Sequence, residues 1–273
     1  MGTPTDDYIL GRTSAEYQRL HTQAKVWEKA TKRVLLKAGL HAGMSCLDIG
    51  CGPGEVMRLM GEIVGSEGSV TGVDVDGDIG REALDVLRTA ASSQYAFHEI
   101  DVESSDRVPG DPFDVAFARF TLFHLKETVA FLRKMMRWTK PGGIIVVQEY
   151  DFESWEPYPK LDEVVEAIQT FRTVAVRAGR DTRLGFKLPA YFIEAGLGAP
   201  DGTDVAGFLT KVAVRGCMVQ EVYNSVFPVA QKLGIADEAS RQRILGAIDE
   251  AIQAGGWYQL SPLLIGAWKC RPL

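Results

Sequence analysis

Residues 48–54 read Asp-Ile-Gly-Cys-Gly-Pro-Gly, with glycines at 50, 52 and 54 and an acid two residues before the first. The segment Ser45 to Ile49 in front of it is a short, mostly apolar run of the kind a buried strand shows. Behind it, Val56, Leu59, Met60 and Ile63 recur at the spacing of one helix face, and Gly65 and Gly68 end the run. The spacing predicts a strand, a glycine turn and a helix. Glycines let the chain turn sharply and leave bare backbone for a ligand. The helix N-terminus adds free N–H groups and partial positive charge. Dinucleotide-binding proteins share this plan, but their fingerprint is GxGxxG, and Glu55 stands where its last glycine belongs.

Working outward, the rhythm repeats. Ser69 to Val73, Tyr95 to Ile100, Phe113 to Ala118 and Ile144 to Gln148 read as strands. Helical runs separate the first three at 56–63 and 79–91, and a helix at 127–139 precedes the fifth strand. Phe113 to Ala118 is nearly continuous in apolar residues, as a strand buried on both faces is. Pro141-Gly142-Gly143 reads as a turn. Strands alternating with helices predict an α/β fold with a mostly parallel sheet and a ligand site beyond the carboxyl ends of its strands. Past Tyr150 the pattern changes to helices at 161–178, 190–195, 218–233 and 238–254, a strand within 204–214, and a last strand at 263–269. Residues 1–42 are read as a helical N-terminal arm. Residues 43–273 are read as the main domain, with lid insertions at about 151–200 and 216–256.

The glycine motif is similar to the first motif of the class I S-adenosylmethionine (SAM)-dependent methyltransferases, (D/E)-x-G-x-G-x-G, at all four defined positions. Other features occur in the family's order. They are Asp74-Val75, Asp101-Val102, Phe113-Asp114-Val115, the loop with Leu122, His124 and Leu125, and Lys140-Pro141-Gly142-Gly143. The resemblance covers about residues 45–150 and implies a Rossmann-like, seven-stranded, mostly parallel sheet flanked by helices. It implies SAM as cofactor, with S-adenosylhomocysteine as product. In that reading Asp48, Gly50, Gly52 and Gly54 form the cofactor loop, and Asp74 takes the ribose hydroxyls with Val75 beside it. Asp101 and the backbone at Val102 meet the adenine, and Arg119 borders the methionine end. Asp48 suits a ligand that carries an ammonium and a sulfonium rather than a pyrophosphate.

In-line methyl transfer needs alignment and desolvation more than acid–base work. If the acceptor must lose a proton, His124 is the first candidate base and His21 the second, since imidazole titrates near neutrality. Tyr17 on the arm, and Glu149 and Asp151 at the end of the fifth strand, are candidates to cover or orient a substrate. The aromatic-rich region beyond 150 favours a small, largely hydrophobic metabolite. No metal is expected: Arg119 stands where clustered oxygen ligands would be needed, and no zinc spacing occurs.

The net charge of −6 and the absence of a basic run argue against nucleic acid as a partner. The loop after the fourth strand reads Arg119-Phe120-Thr121-Leu122 and lacks the (D/N)-P-P-(Y/F) pattern of amino-type nucleic-acid methyltransferases. Four scattered cysteines, no apolar leader and no long apolar stretch predict a cytoplasmic protein without a membrane span. A homodimer through the helical insertions stays open. Two further readings compete: a SAM-binding protein that performs a cyclisation or no transfer, and an NAD-dependent oxidoreductase, which Asp74 suits and the glycine spacing does not.

Overall fold

The computed structural model describes residues 25–90, 93–211 and 218–273. The arm residues Tyr17 and His21 lie outside them. Helix α1 (Glu28–Ala38) leads into β1 (Ser45–Ile49), α2 (Glu55–Val64), β2 (Ser69–Asp74), α3 (Gly77–Ala90), β3 (Gln94–Glu99) and β4 (Phe113–Arg119). A 3₁₀ turn at Leu122–His124 follows, then α4 (Thr128–Trp138), β5 (Thr139–Asp151) and a second 3₁₀ turn at Phe152–Ser154. The remainder comprises β6 (Glu156–Tyr158), α5 (Asp162–Arg177), α6 (Leu184–Glu194), β7 (Gly202–Ala206), β8 (Leu209–Lys211), α7 (Met218–Lys232), α8 (Glu238–Ala254), β9 (Tyr258–Leu260) and β10 (Leu263–Cys270).

The chain forms two compact units. The first holds described residues 25–149, 185–205 and 265–273. Its sheet has the order β3-β2-β1-β4-β5-β10-β7, and β1 through β5 pair in parallel. The order reverses between β1 and β4, which is the switch point where an open α/β sheet takes its ligand. Val34, Leu35, Met60, Val70, Phe117 and Val146 belong to one buried cluster of this unit. They come from the two helices and the strands at the spacing the sequence shows, and burial of that stripe holds α1 and α2.

The second unit holds 150–184 and the described residues between 206 and 264. It contains α5, α7, α8 and a three-stranded sheet, β6-β9-β8. Phe171, buried at 2% exposure, stands 4.7 Å from Phe152 and 6.3 Å from Trp155, ring to ring. Asp237 and Ser240 form a capping box that starts α8.

Several expectations are corrected. The turn at 141–143 lies inside β5: Phe113 pairs with Thr139 but Val115 with Ile144, so the extra residues bulge out of the ladder. Helix α6 begins at Leu184 and runs through Pro189. Leu188 and Phe192, four apart and fully buried, offset the hydrogen bond that proline removes. The strand expected at 204–214 breaks at Gly207, so β7 joins the large sheet and β8 the small one. Strands β6 and β9 are too short to leave an alternating signal. Residues 185–200 of the expected insertion at 151–200 pack, with 201–205, in the unit of the large sheet. Among the described residues no helix is long and apolar enough to cross a membrane, and no group of three or more His, Cys, Asp or Glu is placed to hold a metal.

Candidate active site

The glycine loop lies at the carboxyl end of β1. The amides of Gly50 and Cys51 donate to the Val73 carbonyl at 2.8 and 3.1 Å, which fixes the loop against β2. The Thr121 hydroxyl donates to the Ile49 carbonyl at 2.8 Å. A methyl group on Gly50 would sit 2.5 Å from that hydroxyl oxygen, so the close approach of the β4 loop demands glycine. Gly52 is different. Its φ is +46°, and a methyl group there would meet no atom within 4 Å. No packing explains its missing side chain; bare left-handed backbone faces open space, as a cradle for a ligand requires.

Two acids stand at this loop and a third follows β3. Asp48 is 2% exposed, and its Oδ2 has no hydrogen-bond partner. Burial pushes its carboxyl up to about 7, against the pull of Arg119, while Asp74 raises it further and the Met57 amide lowers it. Asp74 ends β2; its Oδ2 accepts from the Gly52 amide and its Oδ1 from the Asp76 amide, both at 2.9 Å. Asp74 thus braces the loop with one oxygen and the start of the next turn with the other. Val75 beside it is apolar yet 51% exposed. Asp101 lies past β3, exposed, with Oδ1 accepting from the Glu103 amide at 2.9 Å and Oδ2 from the Ser104 hydroxyl at 3.0 Å. Val102 is 8% exposed.

Arg119 ends β4 and donates through Nη1 to the Thr31 hydroxyl of α1 at 2.8 Å. Phe120 follows with φ +58°, a conformation that costs a bulky residue energy and is held here by its neighbours. Its amide donates to the Gln148 carbonyl at 3.0 Å. His124 sits in the 3₁₀ turn, its ring edge-on to Phe123 at 5.5 Å. Glu149, expected to orient a substrate group, is instead 1% exposed, and its Oε1 accepts from the Leu122 amide at 2.7 Å. The Leu122, Phe123 and Thr121 amides favour its charged form, yet burial dominates and pushes it up to about 8. Glu149 therefore shapes the loop that carries His124. Asp151 belongs to the second unit, where its Oδ1 is 3.7 Å from Arg183 Nε and burial raises its pKa.

Two sequence signatures prove to be structural. Asp114 accepts from the Ser45 amide (2.8 Å) and hydroxyl (2.7 Å) and from Lys140 Nζ (2.8 Å), at the amino end of β4. Burial raises its pKa, but those partners outweigh it and hold the carboxyl below its usual range. Thr31, Thr121 and Lys134 escape sequence reading, because a threonine or lysine on a helix or loop gives no signal until its partners are located.

A glycine loop at the switch point, a buried acid with a vacant acceptor oxygen, and acids at the ends of the next two strands are what the cofactor end of a class I SAM-binding domain would require. Residues 40–191, more than half of the chain, match the family model described as "Methyltransferase domain", and the chain belongs to that family. The demethylmenaquinone methyltransferase of Staphylococcus aureus (strain MRSA252) is 31% identical over 149 residues, which are 52% of this chain and 58% of that one. Phosphoethanolamine N-methyltransferase 1 of Arabidopsis thaliana is 28% identical over 138 residues, 50% of this chain and 27% of its own length. Among solved structures, a Bacillus halodurans C-125 protein superposes with a TM-score of 0.60 at 14% identity, covering 89% of this chain and 99% of that one. Haemonchus contortus phosphoethanolamine N-methyltransferase 2, in complex with phosphomonomethylethanolamine and S-adenosylhomocysteine, superposes at 0.54 with 16% identity, covering 99% and 61%. These likenesses fix the fold, and the family fixes SAM as the cofactor class. The residues fit it: the orphaned Asp48 oxygen suits a cationic ligand, and the space at Gly52 admits one.

Proposed function

We propose that the chain transfers the methyl group of SAM to a small, largely hydrophobic metabolite. SAM, when bound, supplies a methyl carbon on a positively charged sulfur that departs as a neutral thioether. Asp48 carries this reading: a buried carboxylate with an unfilled acceptor beside a bare glycine loop calls for a cationic ligand. In this proposal Gly50, Gly52 and Gly54 let the backbone approach the cofactor, and Asp74 accepts from the ribose hydroxyls with Val75 against the purine. Asp101 and the Val102 amide take the adenine edge. Arg119, anchored by Thr31, borders the amino-acid end. Cys51 is no nucleophile, since burial drives its thiol far above the usual range and it stays protonated.

His124 is the proposed base for an acceptor that must lose a proton; Tyr17 and His21 keep their proposed roles on the arm. Asp151 keeps its proposed role of orienting a substrate group. The name of one relative, a demethylmenaquinone methyltransferase, supports an apolar acceptor, whereas the phosphoethanolamine named for another is polar. A cytoplasmic location and freedom from nucleic-acid and membrane partners rest on charge and free cysteines. A homodimer belongs to the same set of proposals.

The test is incubation with SAM and a panel of apolar quinols, phenols and amines, with S-adenosylhomocysteine release and product mass as readouts. The account expects one acceptor to gain a methyl group as S-adenosylhomocysteine appears. An acceptor converted without change of mass would contradict it. His124→Ala should lower turnover far more than S-adenosylhomocysteine affinity; equal turnover removes it from the mechanism.

A further inference from the structure

The loop of residues 101–106 is tied down by α4. Lys134 Nζ donates to the carbonyl oxygens of Val102 at 3.2 Å, Glu103 at 2.5 Å and Ser105 at 2.9 Å. Three carbonyls on one ammonium use all three of its donors. One turn further along α4, Trp138 Nε1 donates to the Asp106 carbonyl at 3.0 Å. The Lys126 amide, before the helix, donates to Glu103 Oε1 at 2.7 Å.

The direction of these bonds matters. In a trans peptide the carbonyl and the following N–H point to opposite sides. The Val102 carbonyl turned toward Lys134 therefore sends the Glu103 amide the other way, where it donates to Asp101 Oδ1 at 2.9 Å. The Ser104 hydroxyl holds the second oxygen of the same carboxylate at 3.0 Å. Lys134 thus sets the peptide planes that fix Asp101, while Asp101 stays exposed with lone pairs to spare.

We propose that Lys134 is a positioning residue for adenine selectivity, acting through the 102–105 carbonyls on Asp101. The inference rests on reading this site as a SAM site, with Asp101 at the purine amino group. It deepens that reading by assigning the base selectivity to a lysine that touches no ligand.

The experiment compares calorimetric affinities for S-adenosylhomocysteine and for S-inosylhomocysteine, which carries an oxygen in place of the amino group. Wild type should prefer the adenosyl compound. Lys134→Met removes three charge-assisted bonds and should lower both the affinity and the preference by about tenfold. A stabilising role alone would lower the melting temperature and leave the preference untouched, so a folded Lys134→Met protein with wild-type preference overturns the proposal. Wild type that binds both compounds equally overturns the adenine reading and the role of Lys134 with it. Wild type that binds neither overturns the cofactor reading. If Lys134→Met does not fold, Lys134→Arg keeps charge and stem but offers a planar fork to three convergent carbonyls. Its preference should fall severalfold, and an unchanged preference would equally sink the idea.

Discussion

The carboxyl ends of β1, β2 and β4 and the helices α5, α7 and α8 are built on opposite terms. At the strand ends, polar groups are held in place without being used up. Asp48 is buried with a vacant oxygen, Asp74 braces Gly52, and Phe120 is kept in a left-handed conformation. In the helical unit the interior is closed by rings such as Phe152, Trp155 and Phe171, with 2% of Phe171 exposed. The first region leaves the Asp48 oxygen unmet beside a bare glycine loop, where a ligand can claim it; the helices also hold unmet atoms, Tyr223 Oη and Arg241 Nε, but those side chains lie against the Phe227 ring. The second has spent its surface on packing. A side chain removed from the second should therefore cost stability, and one removed from the first should cost affinity.

The largest effect should come from Phe171→Ala, which empties a well-packed ring site at about 3–5 kcal/mol. Chemical denaturation should show that loss, while S-adenosylhomocysteine affinity in the folded protein stays within about threefold, since about 0.6 kcal/mol is all that change represents. A collapse of affinity in folded Phe171→Ala protein would break the contrast. Next comes Asp74→Ala, which removes a charged acceptor from two proposed hydroxyl donors. Affinity should fall by on the order of 30–100-fold, about 2–3 kcal/mol, with a cooperative melt preserved.

The two glycines sharpen the contrast inside one loop. Left-handed backbone costs a non-glycine residue about 1–2 kcal/mol, so alanine at Gly50 and at Gly52 shares that penalty. Gly50→Ala also collides with Thr121, so its melting temperature should drop further. Gly52→Ala meets no protein atom, so its excess loss should appear in affinity, by about tenfold if a ligand occupies the space.

The smallest effect concerns pH. Burial pushes the Asp48 carboxyl up to about 7, so its attraction for a cation weakens as pH falls through that value. Affinity for S-adenosylhomocysteine should rise as pH goes from 6 to 8, and binding should release a proton, measurable by calorimetry in two buffers. Asp48→Asn should flatten that profile. Glu149 carries the matching stability signature. Its folded carboxyl is raised from 4.5 to about 8, so the penalty for ionising it in the fold is absent at low pH and grows as pH rises through that window. The melting temperature of Glu149→Gln should therefore gain on wild type between pH 5 and pH 9.

Most of the first region was legible because its signals are local and periodic. The glycine spacing, the apolar strand runs and the acids at 48, 74 and 101 all sit at the ends of elements whose lengths the pattern sets. Asp114 and Lys140 were visible as motif letters, but their pairing at the amino end of β4 was not, since position in a motif does not say which end of a strand faces a ligand. Glu149 looked like a substrate contact because it ends a strand, yet side-chain alternation turns it inward to the 121–123 amides. The second region gave up its long helices and hid its sheet, since β6, β8 and β9 have three residues each; in the first, α6 runs through a proline after which local propensity starts the helix.

The central claim is that the strand ends hold a SAM-type cofactor. Calorimetric titration of the folded protein, freed of copurified ligand, with S-adenosylhomocysteine and with NAD as control, tests it most directly. The account predicts saturable binding of S-adenosylhomocysteine and none of NAD, with Asp74→Ala abolishing most of the signal. Binding of NAD, or of neither, would contradict it.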